Sequence, residues 1–228
     1  MLNRPHSIAA QQTAGIEINK VLRSTYALLG ATLLFSAATA ALSMAMNLGF
    51  GVAIVMNLVA IGLIWFVLPR TANSVNGIYV VFAFTGLLGA ALGPTLQHYL
   101  AMANGGTIVL QALGTTALVF FGLSAYVLTS RKDFSFLRGF LMTGLIVAIV
   151  AMVGLMVASM FGVQVAGAQL ALSGVIAMVM SGFILYDTSR IVNGGETNYI
   201  MATVALYLDI YNLFVSLLHI IGAFSGDD

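Results

Sequence analysis

The sequence predicts an all-α membrane protein of seven transmembrane helices, with the seventh at the centre and the N-terminus in the cytoplasm. Three observations carry this. Hydrophobic residues make up 61% of the 228 residues and charged residues only 7%, against roughly 25% charged in a soluble domain. Seven apolar runs recur, each near the ~20 residues that a helix needs to cross a bilayer. All eight Lys and Arg residues fall in alternate connections between those runs. A soluble globule of this size cannot hide so much apolar surface, because most of its residues touch the outside. The outside is therefore read as the lipid bilayer, which excludes a soluble enzyme and a disordered chain. A net charge of +1 leaves no basic field for nucleic acid. The chain has no cysteine, so disulfides, thiolate metal sites and cysteine nucleophiles are excluded.

Residues 1–24 read as a polar cytoplasmic tail, mobile and without a core of its own. Residues 25–223 form the transmembrane domain, and 224–228 a short external tail. The opening residues are too polar for a signal peptide, and the run behind them is too long for its apolar core. The spans are Tyr26–Asn47, Gly51–Leu68, Gly77–Gln97, Thr107–Thr129, Gly139–Phe161, Val165–Tyr186 and Tyr199–Gly222. Arg4, Lys20 and Arg23 precede the first. Arg70 follows the second, Arg131, Lys132 and Arg138 follow the fourth, and Arg190 follows the sixth. Basic residues mark the cytoplasmic side, so the N-terminus lies inside and Asp227 and Asp228 outside. Small residues let helices approach closely in lipid. Gly86, Gly89 and Gly93 in span 3, and Gly167, Gly174, Ala177 and Ser181 in span 6, are the expected contact faces.

The first six spans contain no Asp, Glu, Lys or Arg, and the seventh contains only Asp209. A charge deep in a membrane is costly and marks function. Asp209 lies ten residues into its span, about 15 Å at the helical rise of about 1.5 Å per residue, near the midplane. At about 100° per residue, Asn198, Asp209, Asn212, Ser216 and His219 share one polar stripe, with Tyr207 and Tyr211 pointing away. Such a stripe must face protein or water, which puts span 7 inside the bundle. Asp187 closely follows the apolar run of span 6. If that helix continues to Asn193 and is capped by Gly194-Gly195, Asp187 reaches within about a turn of the depth of Asp209. Two carboxyls that meet there cannot both ionise cheaply and would share a proton. That is a pH sensor, and the deprotonated pair offers hard oxygens suited to Ca²⁺. The plainer alternative pairs Asp187 with Arg190 at i+3 and leaves Asp209 bonded to its neighbours. Arg70, at the cytoplasmic end of span 2, is a latch candidate for Asp187 or simply a topology charge.

Four stretches carry a resemblance: Phe82-Ala-Phe-Thr-Gly-Leu-Leu-Gly89, Ala125-Tyr-Val-Leu-Thr-Ser-Arg-Lys-Asp133, Gly194-Gly-Glu-Thr-Asn-Tyr-Ile200 and Leu206-Tyr-Leu-Asp-Ile-Tyr-Asn-Leu-Phe214. Together they resemble the bacterial YccA branch of the Bax inhibitor-1 family, from about Lys20 to Gly222. The resemblance implies a seven-helix fold with the last helix central, in a bacterial inner membrane. It implies that aspartates matching Asp187 and Asp209 form a pH sensor, with an arginine like Arg70 as latch, in members linked to Ca²⁺ leak. It also implies a partner, the ATP-dependent membrane protease FtsH, which YccA-like proteins bind and restrain. The expected function is therefore an FtsH regulator carrying a diaspartyl site, with a pH-gated calcium leak as the alternative. No cofactor is expected beyond Ca²⁺ as a bound or transported ion. An intramembrane aspartyl protease would have Tyr186-Asp187 on one helix but Gly-x-Gly-Asp on the other. Here that position reads Leu206-Tyr-Leu-Asp209, so no enzyme is expected.

Overall fold

A computed structural model describes residues 5–225, with side chains from residue 16 onward. Met1 to Arg4 and residues 226–228, including the external carboxylates expected at Asp227 and Asp228, lie outside the described residues. Among the described residues, seven helices are long and apolar enough to cross a membrane. They are α1 (Pro5–Ala45), α2 (Phe50–Thr71), α3 (Asn76–Leu100), α4 (Gly105–Ser130), α5 (Arg138–Met160), α6 (Ala166–Val192) and α7 (Tyr199–Ser225). No strand occurs among the described residues.

Helix α2 is interrupted by a π turn at Leu63–Val67, where the Leu68 N–H bonds back to the Leu63 carbonyl. Pro69 follows and brings no N–H to the ladder, so the wider turn accommodates the gap it leaves. Helix α6 runs past its apolar stretch to Val192. Gly194, at φ +74°, turns the chain there, and the Gly195 N–H closes on the Arg190 carbonyl at 2.7 Å. A residue with a side chain would resist that left-handed turn.

The α1–α3 contact is built on the glycines of span 3. Gly86 lies under the Phe35 ring, Gly89 under the Ser36 carbonyl and Thr39 hydroxyl, and Gly93 against Ser43. Span 6 differs from expectation. Gly167 and Gly174 face open space, and the close approach to α5 is made by Gly182 under Leu141. Helix α7 packs against α1, α3, α4 and α6. Half of the apolar stretch is buried in α3 and in α7, against 11% in α5. Helix α5 instead exposes Ile146, Val150 and Val153, as a lipid-facing helix must.

The expectation of a mobile tail through Ser24 is corrected for residues 16–24. They continue helix α1, and Val21 and Leu22 pack against the main core. Apolar side chains on one face of a continuing helix give that segment a core after all.

Candidate functional site

The site is assembled where α6 and α7 approach each other near one end of the bundle. That end gathers residues 17–24 of α1, the α2–α3 turn, the α4–α5 loop and the α6–α7 loop. Asn198 donates to the Ala72 carbonyl at 2.9 Å, and the Phe134 N–H donates to Ser189 Oγ at 3.1 Å. Glu17 and Lys20 of α1 line a groove of about 570 Å³ with Asn193, Glu196 and Thr197.

Asp187 and Asp209 are both buried, at 9% and 5% exposure. Their carboxyls lie within hydrogen-bonding reach of each other. Asp209 Oδ2 has no hydrogen-bond partner among the described residues. Two buried carboxyls that close repel strongly as two anions, and one proton between them removes that repulsion and supplies a donor. The arrangement can therefore hold one proton between two helices. Because α6 extends to Val192, Asp187 sits within the helix rather than past its end.

The cation beside Asp187 is Arg190. Its Nη1 lies 3.6 Å from Asp187 Oδ1, and its Nη2 lies 3.1 Å from Glu196 Oε2. Arg70 does not take the latch position in this arrangement. Its Nη1 donates to the carbonyl of Phe66 on its own helix, and the residue is exposed. The reason is local: at i−4 that carbonyl is within reach of a long flexible side chain.

The remaining stripe residues divide. Asn198 precedes α7 and caps it, its Oδ1 accepting the Ile200 and Met201 N–H groups at 2.9 and 3.2 Å. Asn212 donates to the Leu208 carbonyl at 2.8 Å. Asn212, Ser216 and His219 line a cavity of about 560 Å³ together with Thr95, Gln169 and Ser173. These three stripe residues thus belong to a separate cavity toward the C-terminal end of α7, where His219 is exposed.

Two features escaped sequence reasoning. Tyr207 is fully buried on the opposite face of α7, with its hydroxyl 2.5 Å from Ser36 Oγ and 3.3 Å from the Thr85 carbonyl. It ties α7 to α1 and α3. Glu196 joins the site through Arg190. The spacing of Tyr207 and Tyr211 at i, i+4, on the face away from Asp209, was the available signal for the first. Nothing in the sequence marked the second.

Among the described residues no group of three or more His, Asp or Glu is placed to hold a metal ion. The pair alone supplies too few oxygens for the six to eight, roughly, that Ca²⁺ takes, so water would complete the shell of any bound ion.

A family model described as "Inhibitor of apoptosis-promoting Bax1" matches residues 18–226. The chain belongs to the Bax inhibitor-1 family. Within it, a protein of Escherichia coli K12 named modulator of FtsH protease YccA is 48% identical over 226 residues, covering 99% of this chain and 100% of that one. A membrane protein of Vibrio cholerae is 53% identical over 214 residues, 93% of each chain. A protein of Pseudomonas aeruginosa is 48% identical over 212 residues, 93% of each chain. The YccA protein of a second Escherichia coli strain is described as an inner membrane protein.

Proposed function

We propose that this member of the Bax inhibitor-1 family is a multi-pass inner-membrane regulator, without enzymatic activity, that binds and restrains an FtsH-type ATP-dependent protease. The observation that carries this reading is the likeness to the Escherichia coli modulator of FtsH, which spans essentially the whole of both chains. That likeness runs through all seven helices rather than through one segment. Tagged chain extracted in mild detergent is expected to co-purify FtsH. Deleting residues 2–15, with Lys20 and Arg23 kept for orientation, tests whether the N-terminal segment serves as the handle. Unchanged recovery of FtsH and unchanged protein half-life would remove that role from the segment.

The orientation is part of the proposal. Described basic residues gather at the end of the bundle that holds the carboxyl pair, and basic ends stay in the cytoplasm. The N-terminus then lies inside, the site in the inner half of the membrane, and α7 serves as the axis about which α1, α3, α4 and α6 pack. A reporter fused after Val75 should read cytoplasmic, and one after Gly222 external. The reverse would invert the site.

A second reading is favoured by one observation, the two buried carboxyls in hydrogen-bonding reach. In it the pair is a pH-sensing element and Ca²⁺ is cargo that passes when the pair separates. Both readings can hold of one molecule.

A further inference from the structure

We propose that Arg190 transmits the charge state of the Asp187–Asp209 pair to the α6–α7 loop, with Glu196 as the carboxylate that competes for it. This rests on the proton-sharing reading of the pair and adds the part that reads it out. Arg190 is one cation between two carboxylates. Its contact with Glu196, at 3.1 Å, has hydrogen-bond length, whereas its contact with Asp187, at 3.6 Å, is an attraction between charges. The guanidinium also lies 5.7 Å from the centre of the Tyr186 ring and 3.5 Å from the Gly195 carbonyl. These contacts hold it at the boundary between the helix and the loop.

A cation held this way follows the balance of charge on its two sides. While the pair keeps its proton, the pull from Asp187 is weak and Arg190 stays with Glu196. When the pair loses it, a second negative charge appears in a poorly solvated place, and Arg190 is drawn inward. Glu196 cannot simply follow, because its Oε1 accepts the Asn198 N–H at 2.9 Å. Asn198 in turn caps α7 and donates to the Ala72 carbonyl and to Asn73 Oδ1, at 2.9 and 2.8 Å, in the α2–α3 turn. Loss of the Arg190–Glu196 contact therefore loosens the segment that fixes the start of α7 to the end of α2.

The other groups around the relay leave Arg190 as the cation on Asp187. From α7 comes Asp209, and from the loop Glu196. From α4 comes the Ser124 hydroxyl, 3.5 Å from Thr188. The α4–α5 loop, whose Phe134 N–H meets Ser189, carries Arg131, Lys132 and Asp133, and Arg138 opens α5. From α1, Glu17 and Lys20 line the groove beside Glu196.

The chain has no cysteine, so a single Thr197→Cys carries a spin label at an exposed loop position without background. The full chain in lipid nanodiscs is followed through a pH series by two signals. The infrared band of protonated carboxyl reads the pair, and label mobility reads the loop. In the parent both should change together, with the loop loosening as pH rises. In Glu196→Gln the loop label should be mobile at every pH. The infrared transition should persist and move down by roughly half a pH unit, because Asp187 no longer shares its cation. Glu196→Asp, which keeps the charge, should restore part of the loop response. A loop response in Glu196→Gln equal to the parent's overturns the relay and leaves the pair standing. An infrared transition absent from the parent, or unaltered in both Asp209→Asn and Asp187→Asn, overturns the shared proton and the relay with it.

Discussion

Asp209 has an environment that suits one protonation state of a pair better than two independent acids. Its carboxyl lies beside that of Asp187, its Oδ2 lacks a partner among the described residues, and it is 5% exposed. Asp209→Asn preserves shape and an acceptor oxygen while removing the titration. If the pair gates an ion, Ca²⁺ flux into proteoliposomes should lose its pH dependence in this variant while the protein still elutes as a folded species. A pH profile identical to the parent's would reduce both aspartates to structural polar groups. At this scale the sequence showed the carboxyls clearly, because a charge in an apolar run is costly in lipid and stands out. It did not show which arginine meets them. Both Arg70 and Arg190 sit at the correct helix ends; the structure has the i+3 pair of the plainer alternative, Asp187 with Arg190, and adds Glu196 as the second carboxylate on that arginine. The Tyr207–Ser36 contact joins residues 171 positions apart, and periodicity carries no trace of such a pairing.

Helices α1 and α3 meet through glycine, and this makes a sharp stability prediction. A Cβ at Gly89 would overlap the backbone carbonyl of Ser36, which cannot swing aside as a side-chain tip can. Gly89→Ala should therefore destabilise by about 1–3 kcal/mol, the usual cost of overpacking. Gly114→Ala on α4 meets nothing within 4 Å and should be neutral or stabilising by up to about 1 kcal/mol, from helix propensity alone. Thermal unfolding of both variants in one detergent gives the comparison, and equal midpoints would contradict the α1–α3 interface described here. The contact glycines of span 3 were legible because Gly86, Gly89 and Gly93 recur on one face. Those of span 6 were misjudged. Gly167 and Gly174 share a face too, but it is Gly182 that α5 covers. Small residues make close approach feasible without saying which neighbour arrives. The extension of α6 was readable from Gly194-Gly195, whereas the π turn of α2 was not read from Pro69.

Across the whole molecule, composition alone fixed the class, since a chain that is 61% hydrophobic and 7% charged has only lipid to face. The seven spans followed from the apolar runs, with boundaries shifted by a few residues where polar helix ends continue past the hydrocarbon-length core. The start of α1 was the largest shift. Its polar surface concealed the apolar contacts that Val21 and Leu22 make with the core. At one end the fold brings together the carboxyl pair, Arg190, Glu196 and the groove beside α1. The claim that this molecule restrains a membrane protease is tested most directly by a rate. FtsH is reconstituted in proteoliposomes with a membrane-protein substrate, with and without an excess of this chain, and substrate loss is followed after ATP is added. The account predicts that the chain slows degradation in proportion to its amount while remaining intact. A degradation rate unchanged at saturating chain, or a chain consumed as an ordinary substrate, would contradict it.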